Sequence, residues 1–161
     1  MSKNRADSGG QTPARILVPI DGSQNSIRAL KKAITLTKTY ESELLVMNVI
    51  SAPNILLEAP IGFGVNSSSA TDYYSEQEVY ANRFLEDAIS VIKSEGVGRF
   101  SSEVVRASKS VVEEIIETAS KRKVDLIVIG TRGVGGFRKL LQGSVSSGVV
   151  THASCDVLVV R

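Results

Sequence analysis

The sequence of 161 residues has no tryptophan, one cysteine and one histidine, and its aromatic residues amount to 5%. Each scarcity removes a class of function. The lone thiol, Cys155, cannot close an intramolecular disulfide or build a multi-cysteine zinc or iron–sulfur site, and its place just before an apolar run reads as a buried structural thiol. The lone imidazole, His152, excludes a multi-histidine metal cage. So few rings leave few platforms on which single-stranded nucleic acid could stack. Excess charge is missing too: 19 Lys+Arg against 17 Asp+Glu leave a formal +2, too little to hold nucleic acid or a membrane surface by bulk electrostatics. No run reaches the roughly 18 apolar residues of a membrane span, and the opening MSKNRADSGGQTPA has no apolar stretch of signal-peptide length, so a cytoplasmic protein is expected.

What is present is an ordinary globular composition, 42% hydrophobic and 22% charged, at a length that suits one domain. Residues 1–14 are polar and read as a flexible tail, leaving 15–161 as the fold. Ile16 to Ile20 is a short continuous apolar run, the pattern of a strand covered on both faces, and Asp21-Gly22-Ser23 breaks it. A helix follows, with Ile27, Leu30, Ile34 and Thr37 on one stripe. Leu44 to Ile50 is a second strand, and residues 51–73, rich in Pro, Gly and Ser, read as a long mobile loop. Ser75-x-x-Glu78 has the form of a capping box for a second helix carrying Val79, Leu85, Ala88, Ile89 and Ile92. A third strand is expected over Ser102 to Arg106, then a third helix capped by Ser110-x-x-Glu113. Val124 to Ile129 is the fourth strand, Ser144 to Ala153 a fourth helix and Asp156 to Val160 a fifth strand.

Strict alternation of buried strands with helices implies an open parallel sheet with helices on both faces and right-handed crossovers, an α/β fold. Ligands in such sheets bind beyond the carboxyl ends of the strands, where strand order reverses, which points to the ends of the first and fourth strands. The fourth strand runs into a glycine-rich loop, Gly130 to Gly143, and Gly143-Ser144 opens a helix whose first amides lack internal partners. Those amides and the helix dipole make an anion seat, and the Ser144 and Ser146 hydroxyls add donors. The loop has no lysine after Gly143, so it is not a Walker A loop; Arg138 stands where a dinucleotide fingerprint needs its third glycine. Arg132, Arg138 and Lys139 either offset phosphate charge or are solvated loop residues. Asp21 reads either as a ligand for ribose hydroxyls or a hydrated Mg²⁺, or as a cap of the first helix in competition with Ser23. His152, nine residues past Gly143, reads as a helix-terminal residue favoured by the dipole, and no general base is visible.

The glycines fit G-x2-G-x9-G-[ST] through Gly130, Gly133, Gly143 and Ser144. With Ile16-Leu-Val-Pro-Ile-Asp-Gly-Ser23, the Asp125-Leu-Ile-Val-Ile-Gly-Thr-Arg-Gly133 segment and the closing His152-Ala-Ser-Cys-Asp-Val-Leu-Val-Val160, the chain resembles the universal stress protein family over residues 15–161. The resemblance implies a five-stranded parallel sheet of order 3-2-1-4-5, a Rossmann-like fold of the adenine-nucleotide alpha hydrolase kind, homodimerisation and, in the branch with this glycine spacing, ATP binding. Carried over by position, the nucleotide contacts fall on Pro19, Asp21, Val49, Ile129, Gly130, Gly133, Gly143, Ser144, Val145 and Ser146, with Mg²⁺ or Mn²⁺ held at Asp21 alongside the nucleotide. Val49, at the end of the second strand, is either where apolar atoms and backbone groups would enclose and read adenine or a plain core residue, the two being identical in sequence. Two places depart from the family pattern: Asp156 replaces the usual proline after the cysteine, and Arg106-Ala-Ser-Lys-Ser110 replaces the usual Gly/Pro turn.

In that strand order the last strand is an edge, and Val157 to Val160 carries neither charge nor proline to block pairing, so two copies are expected to pair through 156–160 about a two-fold axis. The implied protein is an ATP-binding stress-response regulator whose nucleotide orders the 130–143 loop and alters binding of protein partners. Two other readings stay open: a slow ATPase or self-phosphorylating enzyme at the same site, and a dimerising module that holds no nucleotide.

Overall fold

The computed structural model describes residues 12–51, 67–131 and 144–161. Through them run β1 (Arg15–Pro19), α1 (Gln24–Tyr40), β2 (Glu43–Ile50), α2 (Ser67–Ser94), β3 (Phe100–Arg106), α3 (Val111–Lys121), β4 (Leu126–Gly130), α4 (Ser144–His152) and β5 (Asp156–Val160). All strand pairs are parallel and the sheet order is β3-β2-β1-β4-β5, as expected.

The period of two along each strand divides the core into two layers. Ile16 and Val18 of β1, Leu44 and Val46 of β2 and Val128 of β4 face α1 and α2, meeting Leu30, Ile34, Leu85 and Ile92. Leu17, Leu45, Met47, Ile127 and Ile129 face the other way, against Ile115 and Ala119 of α3 and Val149 of α4. Strands sealed on both faces therefore have no polar alternation, which is why they read as continuous apolar runs. Each fully buried Leu, Ile or Val contributes about 1.5–3 kcal/mol.

Local chemistry sets the helix ends. The Ser23 hydroxyl accepts from Ser26 N–H and caps α1, and Glu41, with φ 55°, stops it in a left-handed cap. Ser110 and Glu113 form a complete capping box at α3. Burial on α1 falls on Ser26, Ala29, Leu30, Ala33, Ile34 and Thr37, while Ile27, expected on that stripe, is 37% exposed at the helix's open first turn.

Several expectations need correction. The second helix starts at Ser67, so residues 67–73 belong to α2 and not to the preceding loop; 52–66 lie outside the described residues. Ser75 is consequently inside a helix, its Oγ donating to the Thr71 carbonyl one turn back, and caps nothing. Glu78 reaches Arg106 instead of an N-cap amide, and Val79, on the solvent side, is 68% exposed. β3 begins two residues earlier than expected, at Phe100, because Leu44 N–H already donates to the Arg99 carbonyl. α4 ends at His152. The fold also takes in Pro13 and Ala14: the Pro13 carbonyl accepts from Ser42 Oγ, and Ala14 N–H donates to Asp125 Oδ2. Among the described residues no helix is long and apolar enough to cross a membrane.

Candidate functional site

Strand order reverses between β1 and β4, and two local departures from the parallel ladder open the sheet there. On the β4 side, pairing ends at Leu17 and Ile127. Alternation along β1 makes residue 19 the next donor toward β4, and Pro19 has no N–H. The two strands part, while β4 stays with β5 as far as Gly130 and Val160. On the β2 side, Ile20 N–H donates to the Met47 carbonyl at 2.8 Å. The reciprocal bond from Val49 N–H to the Ile20 carbonyl is absent among the described residues, and the register stops at Pro19 and Met47. Asn48 Nδ2 takes that place, donating to the Ile20 carbonyl at 2.8 Å from a residue that is 7% exposed. Strand alternation directs the Val49 N–H and C=O toward the gap so formed.

The turn leaving β1 is held from several directions. Asp21 Oδ1 accepts from Ser23 N–H at 3.0 Å, and Ser26 Oγ donates to the Ser23 carbonyl at 2.9 Å. This is an Asx turn feeding an N-cap, so the two readings of Asp21 resolve in one respect: the cap is Ser23, and the half-buried Asp21 carboxylate stands at the mouth of the opening. Gly22 has φ 77°, and a Cβ there would lie 2.5 Å from Phe84 Cε1 of α2, so both backbone and space require glycine.

Across the gap, a Cβ on Gly130 would lie 2.7 Å from the carbonyl carbon of Asn25 and 2.8 Å from its oxygen. The first turn of α1 thus rests directly on the exit of β4. Thr131 continues that exit, its N–H donating to the Val160 carbonyl at 2.8 Å and its own carbonyl accepting from Ser146 Oγ at 3.2 Å. The second bond draws the start of α4 against the end of β4. The Ser146 hydroxyl is therefore engaged with the Thr131 carbonyl, at the start of a helix whose dipole favours negative charge.

Pro19, Asp21, Val49, Ile129, Gly130, Ser144, Val145 and Ser146 are thus gathered at the carboxyl ends of β1, β2 and β4 and in the first turn of α4. Gly133, Gly143, Arg132, Arg138 and Lys139 lie outside the described residues. His152 is at the far end of α4 from Ser144, with Nδ1 2.9 Å from the Gly148 carbonyl, a helix-terminal position as expected. Cys155 precedes β5 at the opposite end of the sheet and is only half-buried, because β5 is an edge; burial, followed by the Asp156 charge, raises its thiol pKa. No group of three or more His, Cys, Asp or Glu gathers among the described residues. Asn48 and the Gly22–Phe84 contact were missed from sequence. For Asn48 a signal existed: it is the one polar residue in the run Leu44–Ile50.

Comparison with known proteins agrees with this architecture. The model of the universal stress protein family matches residues 13–161. The universal stress protein YxiE of Bacillus subtilis is 31% identical over 148 residues, covering 91% of this chain and 98% of its own length. Among solved structures, universal stress protein UspA from Lactobacillus plantarum superposes with a TM-score of 0.74 at 23% identity, over 92% of this chain and 97% of that one. A universal stress protein from Archaeoglobus fulgidus in complex with dAMP superposes with a TM-score of 0.63 at 23% identity, over 91% of this chain and 97% of that one.

Proposed function

The chain belongs to the universal stress protein family, and we propose that it is an adenine-nucleotide-binding member that takes ATP in the opening between β1 and β4. The observation that carries this reading is the release of the β1 end on both sides, at Pro19 and at Ile20, opposite a glycine and a helix start. A parallel ladder closed as far as its strand ends would present neither backbone groups nor space.

Each part suits one portion of the ligand. The Val49 N–H and C=O form a donor–acceptor pair matching N1 and the N6 amino group of adenine, with Ile129 and the Val49 side chain as apolar walls. The end of β4 at Gly130 lies beside the sugar and phosphates, the start of α4 at Ser144, Val145 and Ser146 draws the phosphates through its dipole, and Gly133 and Gly143 are further contacts in this reading. The Asp21 carboxylate accepts from the ribose hydroxyls or holds a hydrated Mg²⁺ or Mn²⁺; one carboxylate with waters and phosphate oxygens is a common donor set for Mg²⁺. The complex of the Archaeoglobus fulgidus universal stress protein with dAMP supports an adenine nucleotide as the class of ligand.

The proposal extends to a regulatory role. Two copies pair through β5, an edge strand whose Val157–Val160 segment is half-exposed and uncharged. Nucleotide occupancy acts through the 130–143 segment on the binding of protein partners, in a cytosolic stress response. Calorimetric titration with ATP, AMP and GTP tests the reading. ATP is expected to bind, and Ser144→Glu, which sets a carboxylate at the phosphate end of an exposed position, is expected to lose at least about tenfold in affinity while staying folded. Absence of heat with every nucleotide overturns the proposal. Chromatography of the bound nucleotide after hours with Mg²⁺ separates a binder from a slow ATPase.

A further inference from the structure

Val49 can offer a base its N–H and C=O only if the β1–β2 ladder stops one bond short. We propose that Asn48 is the positioning residue that stops it, and so sets the preference of the site for adenine over guanine. This rests on the nucleotide reading above.

Ile20 N–H donates to the Met47 carbonyl, and in a regular parallel pair the Ile20 carbonyl would then accept from Val49 N–H. It accepts from Asn48 Nδ2 instead, at 2.8 Å. That bond draws the carbonyl toward the α1–α2 face of β2 and out of line with Val49 N–H, and the burial of Asn48 and Ile20, each 7% exposed, keeps water from replacing either donor. Val49 itself is half-buried. Asn48 belongs to the α1–α2 side of β2, by alternation with Leu44 and Val46, so its side chain reaches Ile20 without entering the opening. It acts through Ile20 and Val49 and touches no base.

Guanine presents the reverse pattern on the same edge, an acceptor at O6 and a donor at N1. A backbone pair held in the Val49 register therefore rejects it, and loss of the register weakens the discrimination. Asn48→Leu removes the donor and excludes water, freeing the Ile20 carbonyl to accept from Val49 N–H as in a regular parallel pair. Asn48→Asp keeps the shape and, as a carboxylate, cannot donate.

The experiment has two readouts on the full chain. Amide hydrogen exchange by NMR without nucleotide is expected to show Val49 exchanging about 100-fold faster than Met47 in the natural sequence, and at a similar rate to Met47 in Asn48→Leu. Titration with ATP and GTP is expected to give at least about a tenfold preference for ATP in the natural sequence, falling to roughly twofold in both variants. A Val49 amide as protected as Met47 in the natural sequence overturns the proposal, as does an unchanged ATP preference in folded Asn48→Leu and Asn48→Asp. If no nucleotide binds but the exchange pattern is as stated, the nucleotide reading falls and the hold of Asn48 on the end of β1 stands.

Discussion

Gly130→Ala tests how closely the end of β4 is packed beneath the start of α1. The added Cβ would lie 2.7 Å from the carbonyl carbon of Asn25 and 2.8 Å from its oxygen. Ordinary carbon contacts sit at about 3.5–4 Å, so one methyl group overlaps by about 0.8 Å or more. The obstacle is backbone, and no rotamer change removes it. Either the first turn of α1 lifts, disturbing the Ser23 cap, or β4 bends away from β5. Overpacking of this kind costs about 1–3 kcal/mol, and at this chain length each kcal/mol lowers Tm by about 2–4 °C. The expected loss is roughly 2–12 °C in a calorimetric melt without ligand. Gly98→Ala is the matched control, since nothing lies within 4 Å of its added Cβ, and it is expected to be neutral or to gain up to about 1 kcal/mol. A Gly130→Ala melt within about 1 °C of the parent, or an equal loss in Gly98→Ala, refutes the reasoning.

Ser110→Ala is expected to cost about 1 kcal/mol in a urea titration at neutral pH through loss of the α3 cap. It also changes the pH profile. The hydrogen bond from the Ser110 hydroxyl holds the Glu113 carboxyl below the ordinary carboxylate range, so its contribution is present above that range and is lost as pH falls through the native value. The acid side of the stability curve is expected to be shallower in the variant, and identical curves would contradict this. Burial raises the pKa of the Cys155 thiol, so a disulfide reagent at pH 8 is expected to label it more slowly than a free thiol, with the rate rising at higher pH. Labelling at the free-thiol rate would contradict the burial. Asp21→Asn is expected to weaken ATP binding more in the presence of Mg²⁺ than in its absence, by calorimetry; equal losses would remove the metal from its role.

The sheet was legible because its strands are buried on both faces: an uninterrupted apolar run such as Leu44–Val46 needs no knowledge of its neighbours to be recognised. The α3 cap was legible for a similar reason, since Ser110 and Glu113 satisfy each other within one turn. Ser75-x-x-Glu78 has the same form and is not a cap. A serine–glutamate pair at this spacing is also tolerated inside a helix, and the start at Ser67 lies in Ser67-Ser-Ser-Ala-Thr-Asp72, where local propensity decides little. Val79 was misplaced along with that boundary. At the site, Pro19 and Gly130 were legible as residue types, but their reasons were not. That Pro19 withholds a donor from β4 depends on which strand lies on that side, and that Gly130 touches Asn25 depends on how α1 crosses the sheet. Asn48 stood out as the polar residue of an apolar run, but its role was not legible, because its work is to replace one ladder bond and the ladder exists only once β1 and β2 are paired.

The central claim is that adenine nucleotide occupies the opening between β1 and β4. Backbone amide chemical-shift mapping with saturating ATP tests it most directly. The largest changes are expected at Asp21, Val49, Ile129, Gly130, Ser144, Val145 and Ser146, with Cys155 and Asp156 at the other end of the sheet unmoved. No change at any amide, or changes centred on the Cys155 end, would contradict it.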